Sequence, residues 1–230
     1  MRNRDQEPKR VLRSKREAKA NYDRIARWYD LAEGFWERKL RSFGLRELGS
    51  SEGETILDVG VGTGTETLAL AGSVGESGRV VGIDISKKML GVARARIEKE
   101  GLAGRVSLLQ CDAASLPFKA ESFDRLFMSF TLELFDTPEI PLVLEEFREV
   151  LRPGGRIAIV SLTKSGGRSL ARDIYELFHD RFPSVVDCRP IFVRRALEEA
   201  GFEVAEATLS SIWGLPVEIV LAEKVDEDGR

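Results

Sequence analysis

The sequence contains little of what disulfide frameworks and metal sites are built from. Cysteine occurs twice, as Cys111 and Cys188, and histidine once, as His179, in 230 residues. Two cysteines give neither a disulfide framework nor a metal-ligand pair, so no metal and a reduced, cytoplasmic setting are expected. No apolar run approaches the roughly 20 residues that span a bilayer. Met1-Arg2-Asn3-Arg4-Asp5 is followed by no apolar core, which argues against a secretory signal. The formal charge of -3 gives no global sign of nucleic-acid binding. No internal repeat or low-complexity block is present. The length suits one domain with additions and is ample for a buried core.

What is present is a glycine turn. Thr55-Ile56-Leu57-Asp58-Val59 carries apolar residues up to an acid, and Gly60, Gly62 and Gly64 follow at alternate positions. Thr67-Leu68-Ala69-Leu70-Ala71 then suits a helix. This reads as a buried strand, a tight turn and a helix N-terminus, the place where α/β folds bind nucleotides. Glycine permits positive φ and lets a ligand lie against the backbone. Dinucleotide enzymes favour Gly-x-Gly-x-x-Gly with an acid about 20 positions later. Here the spacing is Gly60-x-Gly62-x-Gly64, and Asp58 stands two residues ahead of it.

Further strands follow in order. Arg79 to Ser86 predicts a buried strand ending in Asp84, with Ser86 capping a helix from Lys87 to Glu100 that stops at Gly101. A carboxylate at that tip can accept both ribose hydroxyls of a nucleoside; the alternative is that Asp84 merely caps the next turn. Arg105 to Ala113 predicts a third strand and its exit. Asp112 there can accept from an adenine amine, and the small Ala113 lets the base lie flat. Ser122 to Phe130 predicts a central fourth strand, whose continuation through Thr131 to Phe135 crosses the rim where substrate and cofactor meet. A helix from Pro138 to Leu151, capped from Thr137, leads to the turn Arg152-Pro153-Gly154-Gly155 and a fifth strand. After a helix from Phe192 to Ala200, Phe202 to Leu209 and Pro216 to Ala222 predict two strands with no helix between them, hence an antiparallel edge.

The flanks are less explicit. Residues 1–20 are basic, with Lys9, Arg10, Arg13, Lys15, Arg16 and Lys19, and read as a solvated helix. Contact of this terminus with an anionic membrane surface is the alternative, although apolar residues are few there. Tyr22-Asp23 and Tyr29-Asp30 stand seven apart and share one face of a helix. They read either as the core of an N-terminal helical layer or as a lid that offers tyrosine hydroxyls to a substrate pocket. Residues 33–48 continue as helix. Residues 164–189 predict an insertion with a helix from Ser169 to Phe182 that holds His179. That histidine reads as incidental, or as part of a roof over the substrate cavity.

Taken together, Asp58 to Gly64, Asp84, Asp112-Ala113, Leu151-Arg152-Pro153-Gly154-Gly155 and the terminal strand pair resemble the class I S-adenosylmethionine-dependent methyltransferases over residues 50–225. The resemblance implies an α/β, Rossmann-like class I methyltransferase fold: a seven-stranded, mostly parallel sheet with one antiparallel strand and helices on both faces. Residues 1–49 would then be an N-terminal helical lid and residues 226–230 a polar tail. Within that superfamily the chain is most similar to the ubiquinone/menaquinone-biosynthesis methyltransferases and the related phospholipid N-methyltransferases. Tyr22-Asp-x-x-Ala26-x-x-Tyr29-Asp30, Asp112-Ala113-x-x-Leu116-Pro117-Phe118 and Glu149-Val150-Leu151-Arg152-Pro153-Gly154-Gly155 carry this closer likeness. It departs from the quinone enzymes at Leu31-Ala32, where they have Met-Asn, and at Ser161-Leu162-Thr163, where they have Glu.

The resemblance implies S-adenosyl-L-methionine as cofactor and a small-molecule or lipid-like methyl acceptor, of quinone-precursor type. By that likeness Gly60, Gly62 and Gly64 approach the amino-acid moiety, Asp58 sits near its ammonium, and Thr63 adds a hydroxyl contact. Asp84, with Ile85, holds the ribose, and Asp112 with Ala113 the adenine. Ser129 and Thr131 face the transfer zone. Tyr22, Tyr29 and His179 are candidates for the acceptor side, and no general base is evident. Two other readings are a non-catalytic S-adenosylmethionine binder and a nicotinamide-dependent oxidoreductase. The glycine spacing and the terminal strand pair argue against the latter. A nucleic-acid substrate is disfavoured because Ser129-Phe130-Thr131-Leu132 stands where base-amine methyltransferases carry Asn/Asp-Pro-Pro-aromatic.

Overall fold

Neighbouring residues of the first strand face opposite ways, and this alternation builds the architecture. Ile56 packs in one apolar cluster and Leu57 in another, on opposite faces of one sheet. A computed structural model of the chain describes residues 10–11, 14–26, 35–165, 175 and 188–225. Tyr29, His179, the polar tail and, Tyr175 apart, the helix expected from Ser169 to Phe182 lie outside the described residues.

In chain order the described elements are α1 (Lys15–Ile25), α2 (Phe35–Leu48), β1 (Thr55–Val59), α3 (Thr65–Ser73), β2 (Arg79–Asp84), α4 (Lys87–Lys99), β3 (Val106–Gln110) and β4 (Phe123–Ser129). A 3-10 turn (Leu132–Leu134), α5 (Ile140–Val150), β5 (Leu151–Leu162), α6 (Val193–Glu199), β6 (Phe202–Ile212) and β7 (Leu215–Lys224) complete them. Seven strands among the described residues form one sheet in the order β3-β2-β1-β4-β5-β7-β6. β1 to β5 pair in parallel, and β7 runs antiparallel to both of its neighbours, β5 and β6. The chain order reverses between β1 and β4, and a crevice for ligands opens at the carboxyl ends of strands at such a switch point.

Helices cover both faces. Leu40 and Leu48 of α2 and Leu70 and Ala71 of α3 meet Phe127, Ala158, Val160 and Ile219 on one side. Val143, Leu144 and Phe147 of α5 and Val193 and Leu197 of α6 meet Leu126, Met128, Ile157 and Ile159 on the other. α2 lies close to the sheet because Gly44 has no side chain. A Cβ there would stand 2.6 Å from Val160 Cγ2 and 3.3 Å from Phe127 Cε2. No helix among the described residues is long and apolar enough to cross a membrane.

Three local features differ from the sequence expectation. α5 begins at Ile140 with Glu139 at its N-cap, not at Pro138 after Thr137, because Asp136 is turned back to accept from the Thr137 N–H. The Pro-Gly-Gly segment is an excursion within β5, where Leu151 stands opposite Phe123 and Arg156 opposite Arg125. The last two strands are longer than expected and meet at Trp213-Gly214, both with positive φ. Two such residues form a type I′ turn, whose twist matches a two-residue hairpin.

Candidate functional site

The glycine turn is fixed from both sides. Gly60 and Val61 donate to the Ile83 carbonyl at 2.9 and 3.1 Å, tying the exit of β1 to β2. Gly60 and Gly64 have φ of +77° and +89°, a region that favours glycine, and both also face close neighbours. A Cβ on Gly60 would meet Thr131 Oγ1 at 2.2 Å, and one on Gly64 would meet Ala93 Cβ at 2.9 Å. Gly62, at φ +54°, is different, since its missing Cβ has nothing nearer than the Gly60 carbonyl at 4.0 Å. Its open side faces a cavity.

That cavity runs along the carboxyl edge between β1, β2, β3 and β4. Gly60, Gly62, Thr63, Asp84, Ile85, Asp112, Ala113, Ser129, Thr131 and Tyr22 all line it, so ten of the residues singled out from the sequence border one cavity. Asp58 and Gly64 stand behind that lining. Asp58 is buried at 2% exposure, and its Oδ2 accepts from the Thr67 hydroxyl at 2.5 Å. Burial pushes its carboxyl up to about 7, helped by nearby Glu66 and Asp84 and opposed by the Thr67 bond.

Asp84 uses both oxygens to fasten the rim. Oδ2 accepts from the Gly62 N–H at 2.9 Å and Oδ1 from the Ser86 N–H at 2.7 Å. Burial raises this carboxyl to about 6, although those two bonds pull against the shift. Asp112 Oδ1 accepts from the Ala114 N–H at 3.0 Å, and Oδ2 accepts from Lys15 Nζ at 2.6 Å. Cys111 lies one residue past β3 and lines the cavity rather than sitting inside the strand. Burial beside Asp112 and Glu146 raises its thiol.

The basic terminus is not simply a solvated face. Lys15 joins Asp112 and also Glu139, at 2.8 Å. Arg10 Nη2 reaches Asp136 Oδ2 at 2.6 Å, and the Val11 N–H donates to Asp136 Oδ1 at 2.9 Å. Further along α1, Asp23 Oδ1 accepts from the Ser86 hydroxyl at 2.6 Å. Val11, Lys15, Ala18 and Tyr22 therefore form a wall of the cavity. Sequence reading missed Lys15 in this role, because a run of lysines and arginines does not say which acids it will meet.

It also missed the opposite end. Arg41 of α2 and Glu66 of α3, each 6% exposed, line the cavity beside the glycine turn. Next to them, Phe130 has φ of +45° at the exit of β4. A bulky residue in that region marks strain that the surrounding structure must hold in place, and here the Phe130 N–H donates to the Val160 carbonyl at 2.7 Å. Behind the cavity, Glu133 is 0% exposed and accepts from the Leu162 N–H at 3.2 Å. Arg189, 2% exposed, donates to the Phe135 carbonyl at 2.7 Å.

Comparison with known proteins agrees with this geometry. Residues 56–155 match the family model described as a methyltransferase domain. A ubiquinone/menaquinone biosynthesis C-methyltransferase of Cellvibrio japonicus is 35% identical over 143 residues, 62% of this chain and 57% of that protein. A demethylmenaquinone methyltransferase of Lactococcus lactis is 36% identical over 134 residues, 58% of this chain and 52% of that one. The chain thus spans little more than half the length of these curated relatives. Among solved structures, a SAM-dependent methyltransferase from Aquifex aeolicus superposes with a TM-score of 0.60 at 27% identity, covering 80% of this chain and 89% of that one. The fold is that of the class I methyltransferases.

Proposed function

We propose that the protein is an S-adenosylmethionine-dependent methyltransferase acting on a small, lipid-like acceptor of quinone-precursor type. One observation carries the reading: the open side of Gly62, the Asp84 carboxylate and the Asp112 carboxylate border a single cavity at the topological switch point. Gly62 leaves room where any side chain would intrude, and the two carboxylates accept hydrogen bonds. An adenine, a ribose and an amino-acid tail require that set of partners. The methyltransferase names of the relatives support the same activity, and the ubiquinone/menaquinone-biosynthesis and demethylmenaquinone wording of those names supports the acceptor class.

S-adenosylmethionine supplies a methyl group on sulfonium for an in-line displacement. The chain's part is to bind, align and exclude water. Asp84 would hold the ribose hydroxyls and Asp112, beside Ala113, the adenine amine. Ser129 and Thr131, with the Leu134 and Phe135 walls, would border the acceptor. Tyr22 of α1 lines the cavity and would stand on the acceptor side. Apolar Val11, Phe130, Leu134 and Phe135 suit a ring or a hydrocarbon tail better than a charged acceptor.

Calorimetric titration tests the cofactor, using S-adenosylmethionine, S-adenosylhomocysteine and NAD. Binding of the first two, with loss on Asp84→Ala, is expected; binding of NAD alone would overturn the reading. Transfer of labelled methyl to a prenylated hydroxyquinol, but not to a free nucleoside, is the expected result for the acceptor.

A further inference from the structure

The tip of the last hairpin carries a large aromatic side chain that neither the core nor the cavity uses. Trp213 is 71% exposed, more than any other large hydrophobic residue described, and Leu209, further back along β6, is 53% exposed. The run Leu209-Ser210-Ser211-Ile212-Trp213-Gly214-Leu215-Pro216-Val217 contains no acid and no base, in a chain whose residues are 32% charged. Trp213 has φ of +49°, at the turn position where asparagine or aspartate ahead of glycine is favoured. A bulky residue there costs conformational energy, and one so exposed recovers little of it by packing inside the protein.

The tip stands at the same edge of the sheet as the cavity. Pairing of β5 with β7 ends with Leu162 opposite Val217. Trp213 and Gly214 therefore project past the carboxyl end of β5 by roughly 10 Å, at the usual rise of a strand. β4 ends at that edge too, with Ser129 opposite Val160, and Phe130 and Thr131 beyond it border the cavity. In the sheet order β5 alone separates β4 from β7, so the hairpin lies about 10 Å along the edge from the β4 exit. We propose that Trp213 anchors the protein at the headgroup level of a lipid bilayer and seats the cavity mouth against the membrane that holds the acceptor. This rests on the lipid-like acceptor assigned above. Tryptophan favours that level because its ring is apolar and its N–H meets polar headgroups. A tip free of charge enters without stripping water from an ion. A protein partner fits less well, since Trp213 and Leu209 together offer at most about 300 Å², against about 800 Å² per partner in a stable complex. An attachment this small is weak and reversible.

Flotation of the full chain with neutral phosphatidylcholine vesicles tests the anchor. Binding that persists at high salt is expected, with tryptophan fluorescence quenched by lipid brominated on its acyl chains. Trp213→Asn should weaken binding by about tenfold and remove the quenching. The same variant should melt at a higher temperature, because asparagine accepts the turn, and a misfolded variant would not show both effects. Trp213→Phe should keep most of the binding. Methyl transfer separates the anchor from the acceptor assignment. Trp213→Asn should raise KM for a prenylated hydroxyquinol in vesicles, leave kcat, and leave transfer to a short-chain, water-soluble hydroxyquinol as it is. Binding to anionic vesicles alone, equal binding by Trp213→Asn, or self-association of the chain through Trp213 in sedimentation velocity would overturn the anchor. Absence of transfer to either hydroxyquinol by the unaltered protein, with vesicle binding intact, would overturn the acceptor assignment and leave the anchor.

Discussion

Thr131 stands against Gly60 so closely that a single added carbon would lie 2.2 Å from its hydroxyl oxygen. The Thr131 hydroxyl is itself held, donating to the Ser129 carbonyl at 2.8 Å. The glycine turn after β1 and the rim after β4 are therefore shaped together, and the width of the cavity between them follows from this contact.

Gly60→Ala is expected to destabilise the protein by about 2–4 kcal/mol, from overpacking and strained backbone together. Adding Thr131→Ala should recover part of that loss, since it removes the clash and leaves the backbone strain at φ +77°. Urea denaturation of the two single variants and the double variant measures this coupling; strictly additive losses would show that the contact is not tight.

Stability should fall as pH rises towards neutrality. Asp58 and Glu133 are raised to about 7 from ordinary values of 3.8 and 4.5, and Asp84 to about 6 from 3.8. Groups raised on folding hold protons that the unfolded chain has released, so their contribution is complete below about pH 4 and is lost as pH climbs to 7. Asp136 and Asp23 act in the opposite sense. Arg10 holds Asp136 down at about 2, and Lys19 and Ser86 hold Asp23 there against the cost of burial, so their contributions are lost on acidification below about 4. The ligand-free protein should melt highest near pH 4–5 and lower at 7.5, and Asp58→Asn should flatten the decline seen by scanning calorimetry.

The pair behind the cavity gives a second pH test. Burial raises Glu133, and the nearby Arg189 charge lowers it in turn. Burial also brings Arg189 down to about 10. Arg189→Met should therefore lift the Glu133 carboxyl further and extend the stability decline above pH 7. Because the carboxyl can answer by keeping its proton, the loss at pH 5 should fall short of the 3–5 kcal/mol typical of a broken buried ion pair (about that range in mutational series). An unchanged pH profile would show that the two charges do not communicate.

Much of this site was legible in the chain, for a physical reason. The glycine turn, Asp84 and Asp112 each depend on a strand ending a fixed few residues earlier, so local pattern places them without knowledge of the rest. Ser129 and Thr131 follow from the exit of β4 in the same way. Arg41 and Lys15 were not legible. They belong to helices that reach the cavity only by packing, α2 through the missing side chain of Gly44 and α1 through acids far along the chain. Asp58, expected near the cofactor's ammonium, is buried at 2% exposure behind the cavity lining. The start of α5 was misplaced because a threonine cap and a turn-forming aspartate look alike in sequence.

Lys15→Met should loosen α1 without unfolding the domain. Its partners Asp112 and Glu139 have side chains about one-third exposed, 35% and 34%, and ion pairs this open contribute about 1 kcal/mol or less. Amide exchange in α1 should quicken, and S-adenosylmethionine should associate faster in stopped-flow measurements because Asp112 no longer carries a competing ammonium. An unchanged association rate would mean that α1 does not stand in the path.

Two fastenings at the start of α1 share one character: Arg10, just ahead of the helix, and Lys15 join the domain through ion pairs that solvent reaches. Attachments of that kind weaken as dissolved ions screen them, over a Debye length of about 8–10 Å at physiological salt. Deeper in the cavity, Arg41, Thr63 and Glu66 are each no more than 6% exposed and are less open to salt. Ionic strength should then act on the rate at which the cofactor comes and goes far more than on the strength with which it is finally held, making the first helix a throttle set by the surrounding electrolyte.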